Sequence, residues 1–225
     1  MKKSSYQKYK IIDEIGGGGN GKVYKVICIE NNQTFALKEL HDSKKKQKEN
    51  TQRFLDEIKI MNDNFKKVVG VIPIFDFSES EYWYVMPIAI PIMTYIKDNN
   101  LQIEEIINGI IQLCETLECL HDRHISHRDI KPSNIFYYED RFYLGDFGIA
   151  DFEEKEHHFT RSDRGLGAIF TIAPEMKRDP KNSDGYKADV FSLSKTTWML
   201  LTKDDRGFDG FYNILDKKIS LRYLD

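Results

Sequence analysis

Cysteine is scarce: three residues in 225, at positions 28, 114 and 119, with no spacing that fits a disulfide framework or a zinc site. That argues against a disulfide-stapled secreted scaffold and for a reducing, cytoplasmic setting. Long apolar runs are also missing. The longest, residues 85–93, contains Pro87 and Pro91 and is too short to span a bilayer. Residues 1–10 are polar and lack the apolar core of a secretory signal. No large charge of one sign is present either: a net charge of −3 gives no electrostatic reason to expect nucleic acid or an anionic membrane as the main partner. The one basic cluster, Lys44-Lys45-Lys46-Gln47-Lys48, reads as a solvated connection between two elements.

What is present is ordinary globular composition, 40% apolar and 31% charged, enough for one domain or two small lobes. Strand patterns fall at residues 9–12, 22–29 and 34–40, with Gly, Asn and Glu at the turns. Phe54, Leu55, Ile58 and Met61 recur at helical spacing over residues 50–63, and residues 71–77 and 82–86 read as two more strands. Residues 103–121 then carry Ile106, Ile107, Ile110, Leu113, Leu117 and Leu120 on one helical stripe. Cys114 and Cys119 fall inside that pattern and are expected in the core. Short strands at 136–137 and 142–144 precede a long irregular stretch, and a last apolar helix runs over about 188–201.

Between these elements lies His127-Arg128-Asp129-Ile130-Lys131-Pro132-Ser133-Asn134, followed by Asp146-Phe147-Gly148. An Asp can accept or orient a hydroxyl proton while a nearby Lys steadies a migrating phosphoryl group. An Asn and a second Asp supply the hard oxygen ligands that magnesium prefers. His121, His124 and His127 recur every third residue, but a zinc site needs a further ligand and a rigid common face.

The string closely resembles the catalytic loop of the protein kinase family, and Lys131-Pro132 is similar to its serine/threonine members. The resemblance implies Asp129 as catalytic base, Lys131 as its cation, and Asn134 and Asp146 as magnesium ligands. It extends along the chain. Gly16-Gly17-Gly18-Gly19-Asn20-Gly21-Lys22-Val23 sits between two strands rather than opening a helix, and is similar to the loop that covers ATP, with Gly16, Gly18 and Gly21 at the motif positions. Its tip, Gly19-Asn20, lacks the family's usual aromatic residue, which implies a looser loop. Ala36-Leu37-Lys38 resembles the strand whose Lys contacts the α/β-phosphates. Glu57 or Asp56 would pair with it, and the helical phase favours Glu57. Tyr84-Val85-Met86-Pro87-Ile88-Ala89 resembles the hinge, which implies Met86 as gatekeeper and adenine bonds to the Pro87 carbonyl and Ala89 amide. Val23, Ala36 and Phe136 would wall the ring.

Further along, Ala173-Pro174-Glu175 resembles the end of an activation segment, in which Thr160 and Ser162 are either phosphate acceptors or exposed hydroxyls. Arg128 would bind a phosphate there. Gly167-Ala168 stands where the family usually has Gly-Thr; the missing hydroxyl would cost on the order of 1 kcal/mol. Asp189 would hold the backbone of the catalytic loop. The family's later helices, with an Arg partner for Glu175, have no counterpart before Asp225, so the resemblance implies a shortened C-lobe, an oligomer, or a second chain that completes it.

The expected architecture is α+β and bilobal: residues 1–86 form a small antiparallel sheet with one regulatory helix, and residues 87–225 a mainly helical lobe. The expected activity is transfer of phosphate from ATP with magnesium to a protein substrate. A nucleotide-binding pseudokinase or scaffold is the alternative from another class, and a kinase of small molecules the third.

Overall fold

A computed structural model of the chain describes residues 6–18, 21–64, 68–152, 166–213 and 215–221. The chain divides into two compact units, Met1–Ala89 and Ile90–Asp225.

The first unit is a five-stranded antiparallel sheet in the order β1-β2-β3-β5-β4. Its strands are β1 (Tyr9–Gly17), β2 (Gly21–Cys28), β3 (Thr34–Leu40), β4 (Asp76–Ser78) and β5 (Trp83–Met86), with α1 (Lys48–Lys59) between β3 and β4. Strand alternation divides β5 between two cores. Trp83 and Val85 join Val26 and Leu37, while Tyr84 joins Leu40, Phe54 and Ile58 beneath α1. β1 runs past the expected 9–12 into the glycines, and register shifts near Ile11 and Glu14 let it stay paired with β2. The expected strand at 71–77 shrinks to β4. Pro73 has no amide to give a ladder, and Val71 and Ile72 are buried by side-chain packing instead.

The second unit opens with β6 (Ile90–Pro91) and α2 (Ile92–Asp98), then α3 (Ile103–His121). α2 was not expected from the sequence, although Ile92 and Ile96 bury one helical face. α3 forms where expected, and the Glu105 side chain accepts from the Gln102 amide at 2.7 Å at its start. Its buried stripe is Ile106, Leu113, Leu117 and Leu120. Ile107 is exposed, and so is Cys114, while Cys119 is half-buried and Cys28 buried. The core expectation for Cys114 and Cys119 is therefore corrected: each lies about 100° round the helix from a buried leucine.

Next come β7 (Ile125–Ser126), β8 (Ile135–Tyr138), β9 (Arg141–Leu144) and β10 (Asp151–Phe152). β6, β8 and β9 form one sheet, while β7 pairs with β10. The stretch expected to be irregular contains α4 (Leu166–Thr171) and α5 (Pro174–Arg178). α6 (Gly185–Thr202) starts earlier than expected because Asp184 caps it, accepting from the amides of Tyr186 at 3.0 Å and Lys187 at 3.2 Å. A Cβ at Gly185 would collide with the Ser126 side chain, so glycine there is what lets α6 lie against β7. Among the described residues, no helix is long and apolar enough to cross a membrane.

Candidate active site

In the first unit the register places Val23 opposite Lys38, Lys38 opposite Tyr84, and Ala36 opposite Met86. Since successive side chains alternate, these five residues share one face of the sheet. α1 packs on that face through Phe54, whose ring lies 5.5 Å from that of Tyr84. Burial of Phe54 and Ile58 sets the phase of the helix and carries Glu57 inward. Lys38 Nζ lies 2.8 Å and 3.1 Å from the two Glu57 oxygens, and the Tyr84 hydroxyl donates to Oε1 at 2.9 Å. Asp56, the other candidate, accepts instead from Gln52 at 3.0 Å.

Gly16 and Gly18 are exposed at the turn, whereas Gly21 is buried. A Cβ at Gly18 would meet nothing, but one at Gly21 would lie 2.5 Å from the Glu39 carbonyl. Gly21 thus has a packing requirement of its own. Gly19-Asn20 lies outside the described residues. Met86, the last residue of β5, and Ala89 are half-buried, and Pro87 is buried.

In the second unit the residues from His127 to Asn134 hang on α6. Asp189 is fully buried, and its carboxylate accepts from the amides of His127 at 2.7 Å and Arg128 at 2.6 Å. His121 Nε2 lies 3.1 Å from the same group. The anchored loop turns Asp129 toward its neighbours: Lys131 Nζ donates to Oδ2 at 2.9 Å, and Asn134 Nδ2 donates to Oδ2 at 3.1 Å and to the Asp129 carbonyl at 2.8 Å. All three side chains are buried.

The β8–β9 hairpin brings the two metal-ligand candidates to one end. Ile135 pairs with Leu144, and the Gly145 amide donates to the Asn134 carbonyl at 2.9 Å, so Asp146 follows immediately beyond. Asp146 and Arg128 both adopt left-handed backbone conformations, φ +60° and +65°. Phe136, half-buried in β8, lies opposite Pro91 and Tyr143.

The three histidines have separate places. His121 reaches Asp189, His124 occupies a left-handed turn, and His127 bonds the Gly145 carbonyl at 3.1 Å with its ring 4.5 Å from Phe147. Arg128 is bound within the chain. Nη1 donates to Asp151 at 3.1 Å, and Nη2 donates to the Pro180 carbonyl and lies 3.6 Å from Met176 Sδ. Thr160, Ser162 and the side chain of Ala168 lie outside the described residues.

Three participants were missed from the sequence: Tyr84 as a donor to Glu57, His121 at Asp189, and Asp151 at Arg128. Only Tyr84 left a readable signal, since it is in phase with Met86 on the strand paired with β3.

A family model for the protein kinase domain matches residues 9–211. The chain is 28% identical over 210 residues to serine/threonine-protein kinase Nek1 of Mus musculus, covering 87% of this chain and 16% of that protein. It is 30% identical over 218 residues to the probable serine/threonine-protein kinase YbdM of Bacillus subtilis (strain 168), covering 87% of this chain and 81% of that one. Similarity to serine/threonine-protein kinase pak-1 of Caenorhabditis elegans is 31% over 193 residues, 83% of this chain and 32% of the relative. The chain thus spans only a small part of some relatives and most of another. Matched over nearly its whole length, this chain belongs to the protein kinase domain family, of the eukaryotic-like serine/threonine type.

Proposed function

We propose that this domain transfers the γ-phosphoryl group of magnesium-bound ATP to serine or threonine hydroxyls of protein substrates, itself included, in a cytoplasmic setting. The observation that carries this reading is the buried cluster in which Lys131 and Asn134 both bond Asp129 Oδ2. Two donors on one oxygen fix the carboxylate, so Asp129 can take or orient the proton of an incoming hydroxyl. Lys131 then steadies the charge that develops beside it.

The nucleotide side of the chemistry falls to the first unit. Lys38, gripped by both oxygens of Glu57, offers a fixed positive charge for phosphate oxygens. Backbone amides of Gly16, Gly18 and Gly21 would approach the phosphates. Val23, Ala36, Met86 and Phe136 would pack on the base, with bonds to Pro87 and Ala89. Magnesium ATP supplies the transferable group and neutralises its oxygens when bound. Asn134 and Asp146 fit the metal, because Asn134 is held through its amide nitrogen and so presents a hard oxygen. Ala168, where the family usually has threonine, favours the second reading, a nucleotide-binding pseudokinase.

Incubation of wild type and Asp129→Asn with labelled ATP and a protein substrate tests the proposal. Loss of a positioned base lowers transfer by about 100-fold or more. Equal labelling of the two proteins overturns the reading. A thermal shift with magnesium ATP in the absence of any transfer supports the pseudokinase.

A further inference from the structure

Arg128 immediately precedes Asp129, and it is constrained at both ends. Asp189 holds its amide, and Asp151 and the Pro180 carbonyl hold its guanidinium, whose side chain is only 7% exposed. The pairing of β7 with β10 makes this contact. Ser126 lies opposite Asp151 and Phe152 opposite Ile125, so Arg128, two residues past Ser126, comes within reach of the Asp151 carboxylate. The same short segment holds Asp146 and Phe147, which sits on His127. Asp151 therefore ties the chain that follows Asp146 to the loop that carries Asp129. Both Arg128 and Asp146 hold left-handed conformations that persist only under such surrounding constraints.

We infer that Asp151 is a positioning residue for phosphoryl transfer: its carboxylate acts through Arg128 to hold Asp129, so the chain carries the counter-anion of its own catalytic loop. The inference rests on the kinase reading above. A buried guanidinium needs a charged partner, because an uncompensated buried charge is strongly unfavourable. Here the partner comes from the chain itself. With Nη1 on Asp151 and Nη2 on Pro180, an outside anion such as a phosphorylated side chain is not required to fill that place. Asp151→Asn keeps the shape and one acceptor while removing the charge, which isolates the ionic contribution.

The test compares wild type, Asp151→Asn, Asp151→Glu and Asp129→Asn. Each is stripped of phosphate by a phosphatase, checked by mass, and assayed for kcat, KM for ATP and melting temperature. Wild type is expected to keep its kcat after phosphatase treatment. Asp151→Asn should lose about tenfold in kcat with KM for ATP unchanged, and Asp151→Glu should recover most of it.

A brace that merely supports the fold would lower the melting temperature and leave kcat per folded molecule intact, and that result overturns the inference. So does a wild type that loses its turnover on dephosphorylation, or an Asp151→Asn variant as fast as wild type. A wild type no faster than Asp129→Asn overturns the kinase reading and this inference with it.

Discussion

The Tyr84 hydroxyl donates at 2.9 Å to Glu57 Oε1, the oxygen that Lys38 Nζ holds at 2.8 Å. Glu57 is 2% exposed, so its charge depends on protein partners such as these rather than on water. The tyrosine fixes the carboxylate and the carboxylate fixes the lysine. Tyr84→Phe should lower kcat/KM for ATP by about fivefold, roughly 1 kcal/mol, less than the full worth of a hydrogen bond to a charged group because Lys38 still holds the carboxylate. Glu57→Gln removes the counter-charge itself and should cost about 10- to 100-fold. Steady-state kinetics at varied ATP would check the order of the two effects.

Asp189 stabilises the loop that carries Asp129 through charge-assisted bonds in full burial. In Asp189→Asn an amide N–H₂ group replaces one acceptor and faces the His127 or Arg128 amide. Loss of about 3 kcal/mol in unfolding free energy is expected, measured by urea titration. Activity should fall further than the folded fraction, because the loop that carries Asp129 loses its anchor.

Gly109 faces the Phe142 ring inside α3, where a Cβ would overlap the ring carbons. Alanine is the better helix former by about 1 kcal/mol, but overpacking of a tight contact costs about 1–3 kcal/mol. Gly109→Ala should therefore be net destabilising, seen as a lower melting temperature. An unchanged or raised value would mean that β9 moves away at little cost.

Lys195 is buried in α6. Its ammonium donates to the carbonyls of Phe208 at 2.5 Å and Gly210 at 2.9 Å and lies 3.4 Å from the Phe208 ring centroid. Burial lowers its pKa to about 8, with Lys177 pushing the same way and Asp209 opposing. An unfolded lysine titrates near 10.5, so between pH 8 and 10.5 the unfolded chain binds more protons at this site. Stability contributed by Lys195 therefore rises with pH across that window. Wild type should gain on the order of 3 kcal/mol relative to Lys195→Met between pH 8 and 10.5. Denaturation curves of both proteins at several pH values would show it, since the tyrosines titrate alike in each.

Local pattern was enough for α3, because a helix with one buried stripe repeats its signal over 19 residues. It failed at residues 71–77, where apolar side chains promised a strand but Pro73 and packing decided otherwise. It failed again at α2, a seven-residue helix behind a proline, where the apolar period is too short to stand out. Cys114 was misplaced for a related reason: apolar character in a helix says little about which neighbour fills the buried angle. Glu57 and Asp56 differ by one residue of helical phase; the phase read from the sequence favoured Glu57, and the burial of Phe54 and Ile58 against Tyr84 fixes it.

By itself the sequence determined which chemical groups the chain carries and in what order: the glycine turn, Lys38, the loop from His127 to Asn134, and Asp146. Those are properties of residue type and short spacing, and they suffice for the family resemblance. Only the tertiary structure decided what holds those groups. Tyr84 meets Glu57 across 27 residues and Asp151 meets Arg128 across 23, neither of them expected, and the Asp189 hold that the resemblance implied is made by two amide bonds across about 60. Such contacts depend on strand register, on the close approach that Gly185 allows, and on which helix face is buried. None of these is written in any short stretch of the chain.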